Sequence, residues 1–248
     1  MKKTLIVGAS RGIGLALVKA RSKLGDHVFA ASRDPGASAE LVALADAPRT
    51  HDRVTLVPID VTNEASIASA VARVREQTDD LDHVWNVAGV LHGPDFEPEK
   101  RLEHVSPEAL ARVFAINAFG PILVAKHVAP LLRHDRRAVF AAVSARVGSI
   151  GDNRLGGWYA YRASKSALNQ LLRTLSIELS RRTPNVIVVS VHPGTVDTDL
   201  SHPFQRRVPV HKLFSTGRAA DQLIDVIDGL TPEDTGSFRA WDGSPIEW

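Results

Sequence analysis

The 248 residues contain no cysteine. Disulfides, thiolate nucleophiles and Cys-ligated metals are therefore excluded, and no metal site is expected. An excess of one charge is missing too. Thirty Lys and Arg stand against 28 Asp and Glu, a formal net charge of +2. The basic residues are spread along the chain, so no nucleic-acid partner is predicted. Long apolar runs are also lacking. None approaches the roughly 18 residues that a membrane-spanning helix needs, so no membrane association is expected. Near the start, only Leu5, Ile6 and Val7 form an apolar run before Gly8 and Arg11. That is too short for the core of a signal peptide and suits a first strand. These absences together predict a cytoplasmic protein. No repeat or linker interrupts the chain, and residues 1–248 are expected to form one domain. Hydrophobic residues make up 44%, enough for a sizeable core, and the 23% charged residues argue against disorder.

Residues 4–7 predict a buried strand. Gly8-Ala9-Ser10-Arg11-Gly12-Ile13-Gly14 follows, and then an apolar run with helical periodicity. A strand, a glycine turn and a helix make a phosphate-binding opening, because glycine lets an anion approach the helix N-terminus. His27–Ser32 predicts the second strand. Proteins that bind the ribose 2′-hydroxyl usually end this strand on Asp or Glu. Here Ser32 and Arg33 stand there. A guanidinium suits a 2′-phosphate, which predicts NADP(H), and Arg11 could face the same phosphate. Asp34, before Pro35, is predicted to cap the next helix. Residues 54–59 predict a third strand ending at Asp60-Val61. Asp60 could accept a bond from an adenine amino group, or Thr62 could cap a helix over residues 63–77. A fourth strand, 84–86, runs into Asn86-Val87-Ala88-Gly89, whose small residues suit a backbone lying under a cofactor.

Ser106-Pro107 predicts the cap and first position of a long helix reaching about residue 132. Asn117 lies inside it, as a tolerated surface residue or as the mark of a loosened turn with a task. Ala138–Val143 predicts a fifth strand, with Ser144 at its carboxyl end, where ligands bind in open α/β sheets. A glycine-rich loop, 148–157, leads to a helix over about 159–179. That helix carries Tyr161 and Lys165. Residues four apart on a helix lie about 40° and about 6 Å apart, so the lysine charge is expected to lower the tyrosine pKa. A sixth strand, 186–191, ends in His192-Pro193-Gly194-Thr195, and His192 alone predicts a structural hydrogen-bonder. Residues 199–215 predict an irregular lid. Phe204 and Phe214 offer apolar contacts there, and Arg206, Arg207 and His211 supply positive charge. A last helix (216–230), a last strand (237–241) and a tail docked by Trp241 and Trp248 complete the expectation of an α/β, doubly wound parallel sheet.

The order Gly8-x-x-x-Gly12-x-Gly14, Asp60-Val61, Asn86-Val87-Ala88-Gly89, Asn117, Ser144, Tyr161-x-x-x-Lys165 and Pro193-Gly194 resembles the short-chain dehydrogenase/reductase family over nearly the whole chain. The run from Ser144 to Ile150, with Asp242-Gly243 and Trp248, resembles its C-factor and sniffer-type carbonyl reductase branch. The resemblance implies a Rossmann fold of about seven strands, an NADP(H) cofactor, a small carbonyl or secondary-alcohol substrate and a homodimer or homotetramer. It implies Tyr161 as general acid and base, with Lys165 lowering its pKa and binding the nicotinamide ribose. Ser144 would bond the substrate oxygen, and Asn117 would hold a water. Gly8, Ser10, Arg11, Gly12, Ile13 and Gly14 would surround the pyrophosphate. Ser32, Arg33, Asp60, Val61, Asn86, Ala88, Gly89, Pro193, Gly194 and Thr195 would complete the cofactor site. Val7 and Val87 replace the threonine and asparagine frequent in the family. Ser144 and Tyr161 are seventeen residues apart, a long gap filled by residues 151–157, which are expected to shape the substrate pocket. Tyr159 is a decoy, because Ala163 rather than lysine follows four on. The rival expectations are a catalytically silent NADP(H)-binding signalling protein and a sugar-nucleotide epimerase or dehydratase. The glycine spacing and short C-terminal part argue against the epimerase.

Overall fold

Strands such as β6 (Val186–His192, VIVVSVH) are apolar on both faces and buried along most of their length, as a parallel sheet covered by helices on both sides requires. The computed structural model describes residues 1–47 and 53–248. In chain order the elements are β1 (Lys3–Val7), α1 (Gly12–Lys23), β2 (His27–Ser32), α2 (Ala39–Asp46), β3 (Val54–Pro58), α3 (Glu64–Arg75) and β4 (His83–Asn86). Then come α4 (Pro107–Phe114), α5 (Gly120–Val128), β5 (Ala138–Val143), α6 (Tyr159–Ser180), β6, β7 (Thr195–Val196), β8 (Leu213–Phe214), α7 (Thr216–Gly229) and β9 (Ser237–Ala240).

Seven strands form one parallel sheet in the order β3-β2-β1-β4-β5-β6-β9. The chain builds outward from β1 to β3, then returns to lay β4 on the other side of β1. Val7 is thus in register with Ala31 on one side and Asn86 on the other. That reversal opens a crevice at the carboxyl ends of β1 and β4. Alternate residues serve two cores. Leu5, Val7, Phe140 and Val188 pack with Val71, Val124 and Leu168 on one face. Ile6, Trp85, Val139 and Val189 pack with Leu17, Leu223 and Ile227 on the other. The fold expectation is borne out.

Local details differ from expectation. Asp34 caps no helix. Its carboxylate accepts from Ala37 N (3.1 Å) in a turn, and Ser38 caps α2. Thr62 is drawn to Asp60, and Asn63 caps α3 through Ser66 N (3.1 Å). Ser106 and Pro107 start α4 as expected. The helix then loosens into a π turn (Ala115–Phe119) before α5 and tightens into a 3₁₀ turn (Ala129–Leu132). Pro107–Leu132 as a whole is long and apolar enough to cross a membrane, by length and composition alone. That differs from the expected lack of such a run. Here Val124, Val128 and Leu132 pack into the first core, so the apolarity serves the sheet. The lid region is not wholly irregular: β8 pairs parallel with β7, and 3₁₀ turns occupy His202–Arg207 and Val210–Lys212. At the C-terminus Trp248 stacks on Phe238 (5.6 Å between centroids) and its carbonyl accepts from Gly151 N (3.1 Å), so the tail docks on its own chain.

Candidate active site

Helix α6 brings its functional groups to the end of β5 by a repeat of four. Lys165 is buried at 3% exposure, and its ammonium donates to Val143 O (2.8 Å), next to Ser144. One further turn along, Asn169 Oδ1 accepts from Ser144 Oγ (2.8 Å). Asn169 Nδ2 faces Gly148 O at 3.5 Å, which orients the amide. Tyr161, Lys165 and Asn169 therefore form one buried stripe facing the strand end. Asn169 escaped the sequence reading, although its place four residues beyond Lys165 is the same helical signal. Tyr159 is 42% exposed and off this face.

The helix spacing predicts a tyrosine pKa lowered by the lysine. The structure shows the opposite balance: burial pushes the Tyr161 phenol up to about 12. Burial also pulls the Lys165 ammonium down to about 8. The lysine nitrogen lies 5.7 Å from the centre of the tyrosine ring and is bonded to backbone. Both groups are thus driven towards their neutral forms.

Asn117 sits in the π turn, fully buried. Its Nδ2 donates to Val90 O (2.8 Å) and Ser164 Oγ (3.1 Å), and its Oδ1 accepts from Val90 N (2.8 Å). The amide ties the segment after β4 to α6. The wider turn brings it there, as π turns at functional sites often do. A Cβ added to Gly89 would stand 3.4 Å from Asn117 Oδ1 and 3.6 Å from Lys165 Nζ, so this segment passes directly over the stripe.

The crevice at β1 and β4 has the shape of a phosphate cradle. Gly8 has φ +92°, and a Cβ there would lie 2.6 Å from Ala88 N. A Cβ on Gly14 would lie 2.0 Å from Gly8 O. Gly12, Ile13 and Gly14 open α1, with no acidic residue in its first turn. Ser10 O accepts from Ser38 Oγ (3.0 Å). Asn86 is 2% exposed and, among the described residues, both its amide atoms lack partners, as does the Ser32 hydroxyl. Such orphaned buried groups are costly, and they stand at the carboxyl ends of β2 and β4, beside the crevice. Arg33 is exposed beside them and electrostatically coupled to Asp60. Asp60 Oδ1 accepts from Thr62 N (2.9 Å) and Oγ1 (2.7 Å), and these bonds hold its pKa below the usual range. Val61 packs under Gly120. Arg11 turns towards the lid, pairing with Asp199 at 3.0 Å rather than facing Arg33.

On the opposite wall, a Cβ on Gly194 would lie 2.6 Å from the Phe214 ring. Phe214 is 4% exposed and packs against Trp241 (4.8 Å). It roots the lid and does not line a pocket, contrary to expectation. Phe204 does face the site, meeting Trp158 at 4.9 Å and His92 at 5.8 Å. Pro193 is buried and Thr195 begins β7. His192 is held neutral by burial, with its pKa down to about 4. Its Nδ1 has no partner among the described residues, so it is not the hydrogen-bonder expected. Arg206 and His211 are exposed, and the side chain of Arg207 lies outside the described residues. Among the described residues no cluster could hold a metal.

Known proteins share this fold. The carbonyl reductase Sniffer of Drosophila melanogaster superposes with a TM-score of 0.87 at 30% identity, covering 100% of both chains. An NADPH-bound carbonyl reductase from chicken fatty liver gives 0.87 at 27% identity, covering 100% of this chain and 99% of that one. A 1-hydroxy-2-glutathionyl-2-methyl-3-butene dehydrogenase of Rhodococcus is 34% identical over 249 residues, 100% of each protein. The glycine cradle, the strand-end serine and the α6 stripe all fall within residues 2–208, which match the short chain dehydrogenase profile, and the chain belongs to that family of oxidoreductases.

Proposed function

We propose that this protein is an NADP(H)-dependent carbonyl reductase, interconverting a small aldehyde or ketone and the corresponding alcohol, with Tyr161 as the general acid. The observation that carries this reading is the buried stripe of Tyr161, Lys165 and Asn169 set against Ser144. The NADPH-bound neighbour and the crevice with its exposed Arg33 and orphaned Ser32 and Asn86 support the cofactor. When bound, the nicotinamide supplies the hydride. The chain's own residues hold Gly8 to Gly14 against the pyrophosphate, Asn86 against the adenine ribose, and Ser32 and Arg33 against the 2′-phosphate.

Proton management favours reduction. A phenol pushed up to about 12 holds its proton throughout the physiological range and donates it to the developing alkoxide. Lys165, charged below about pH 8, stabilises the phenolate left behind. Ser144 starts with its hydrogen on Asn169, so it must swing that hydrogen to the substrate oxygen to stabilise charge there. Asn169 thereby sets how readily Ser144 helps. Asn169→Asp supplies a charged acceptor that holds the hydrogen more tightly. A charge-assisted bond is roughly twice as strong, so kcat is expected to fall about tenfold. Steady-state reduction rates at saturating carbonyl check this.

The decisive assay is NADPH oxidation against aldehydes, ketones and quinones, with NADH in parallel. A signalling protein that only senses the cofactor would bind NADPH and turn over none of them. In the same assay, Arg33→Ala is expected to raise the KM for NADPH about ten- to hundredfold, the worth of a charge-assisted phosphate contact. The KM for NADH should hold within about threefold. Equal losses for both cofactors would remove Arg33 from the phosphate site.

A further inference from the structure

Three successive residues before α6 are left-handed: Gly156 (φ +63°), Gly157 (φ +67°) and Trp158 (φ +53°). Among the described residues, Trp158 is the one non-glycine at positive φ. A bulky side chain there crowds its own backbone and persists only where the surroundings enforce it. The enforcing group is Glu99, from the segment between β4 and α4. Glu99 O accepts from Trp158 N, and Glu99 Oε2 accepts from Ala160 N (3.2 Å). Arg162, in the first turn of α6, donates its Nε to Gly156 O (3.2 Å) and Gly157 O (3.0 Å) and closes the turn.

Glu99 is itself unusual. It is 3% exposed, its Oε1 has no partner, and no cation pairs with it among the described residues. A buried carboxylate without a counter-charge is costly. What offsets the cost here is the electropositive N-terminus of α6. The left-handed residue then aims its indole at the reaction centre. The Trp158 ring meets the Tyr161 ring edge-on (6.2 Å between centroids, 82°) and the Phe204 ring of the lid (4.9 Å, 63°). An extended or right-handed backbone would send the side chain elsewhere.

We propose that Trp158 is the specificity-determining wall of the substrate site, and that Glu99 is the positioning residue that holds it over Tyr161. The wall selects carbonyl compounds carrying a flat apolar group beside the reacting carbon, which packs against the indole where it borders Tyr161. This rests on the reading of Tyr161 as the reacting acid.

The test uses the full chain with NADPH and two probes, benzaldehyde and propanal. Trp158→Gly keeps the left-handed backbone and removes the wall. It is expected to raise the KM for benzaldehyde relative to propanal at least tenfold. Glu99→Ala should shift the same ratio in the same direction, whereas Glu99→Gln, which still offers an acceptor to Ala160, should restore most of it. An unchanged ratio in both Trp158→Gly and Glu99→Ala overturns the proposal, as does a loss of kcat that is equal for both aldehydes. A second readout needs no turnover. The fluorescence of Trp158, obtained by subtracting the Trp158→Phe spectrum, should move to longer wavelength in Glu99→Ala as the indole leaves its packing. If the wild type reduces neither aldehyde but turns over other carbonyl compounds in the wider panel, the wall proposal fails while the reading of Tyr161 stands; if it turns over none, that reading fails. An unmoved Trp158 emission in Glu99→Ala separately overturns the clamp.

Discussion

Tyr161→Phe is expected to lower kcat for carbonyl reduction by two to four powers of ten, roughly the contribution of a positioned general acid. NADPH affinity should hold within about twofold. The substitution removes one oxygen from a side chain that is 8% exposed. The ring stays in its edge contact with Trp158, so the helix and the pocket wall keep their shape. The melting temperature should therefore hold or rise, since a buried phenol gives way to an apolar ring. NADPH titration by fluorescence and NADPH consumption with a reactive aldehyde separate binding from chemistry. Near-wild-type turnover in this variant would remove Tyr161 from the mechanism. Loss of turnover together with loss of cofactor binding would mean only that the site had collapsed.

Much of the site was legible because its chemistry is tied to backbone geometry. Gly8 and Gly14 stand where added Cβ atoms would strike Ala88 and Gly8 itself, so the glycines mark the cradle in any reading. Ser144 is legible from its place at the end of β5. Other features depend on contacts that no local pattern carries. The pKa of Tyr161 was predicted from its neighbour Lys165, yet burial decides it, and burial is a property of the packed fold. Asn117 signalled an irregular turn, but its partners Val90 and Ser164 come from two other segments. Phe214 and Phe204 are equivalent as aromatic residues in a lid. Only the approach of Gly194 makes one a root and leaves the other a lining. Asp34 lost its helix to Ser38 because two cap residues stood four apart and local propensity does not choose between them.

Lys165→Met is expected to lower kcat by two to three powers of ten, comparable to removing a preorganised electrostatic contact, while making the protein more stable. The lysine is 3% exposed, and its pKa falls from 10.5 to about 8 on folding. That fall corresponds to at most about 3 kcal/mol of stability given up at neutral pH. The sign follows from proton binding. Between about pH 8 and 10.5 the unfolded chain holds the lysine proton and the folded chain does not, so wild-type stability rises with pH through this window. Below about pH 8 both states are protonated and the burial cost is fully present. Methionine carries no proton and has a similar unbranched shape. The gain in melting temperature over wild type should therefore be largest below pH 8 and should fade towards pH 10.5. Activity gives the complementary profile. Reduction by the wild type should decline as pH rises through about 8, where Lys165 loses its charge, while Tyr161 remains protonated. Thermal melts and initial rates across this range test both halves. A methionine variant that is less stable at pH 7 would show that the bond to Val143 O outweighs the buried charge. A reduction rate flat through pH 8 would show that catalysis does not draw on that charge. The expected pairing of lost activity with gained stability is the signature of a residue kept for chemistry against the interest of the fold.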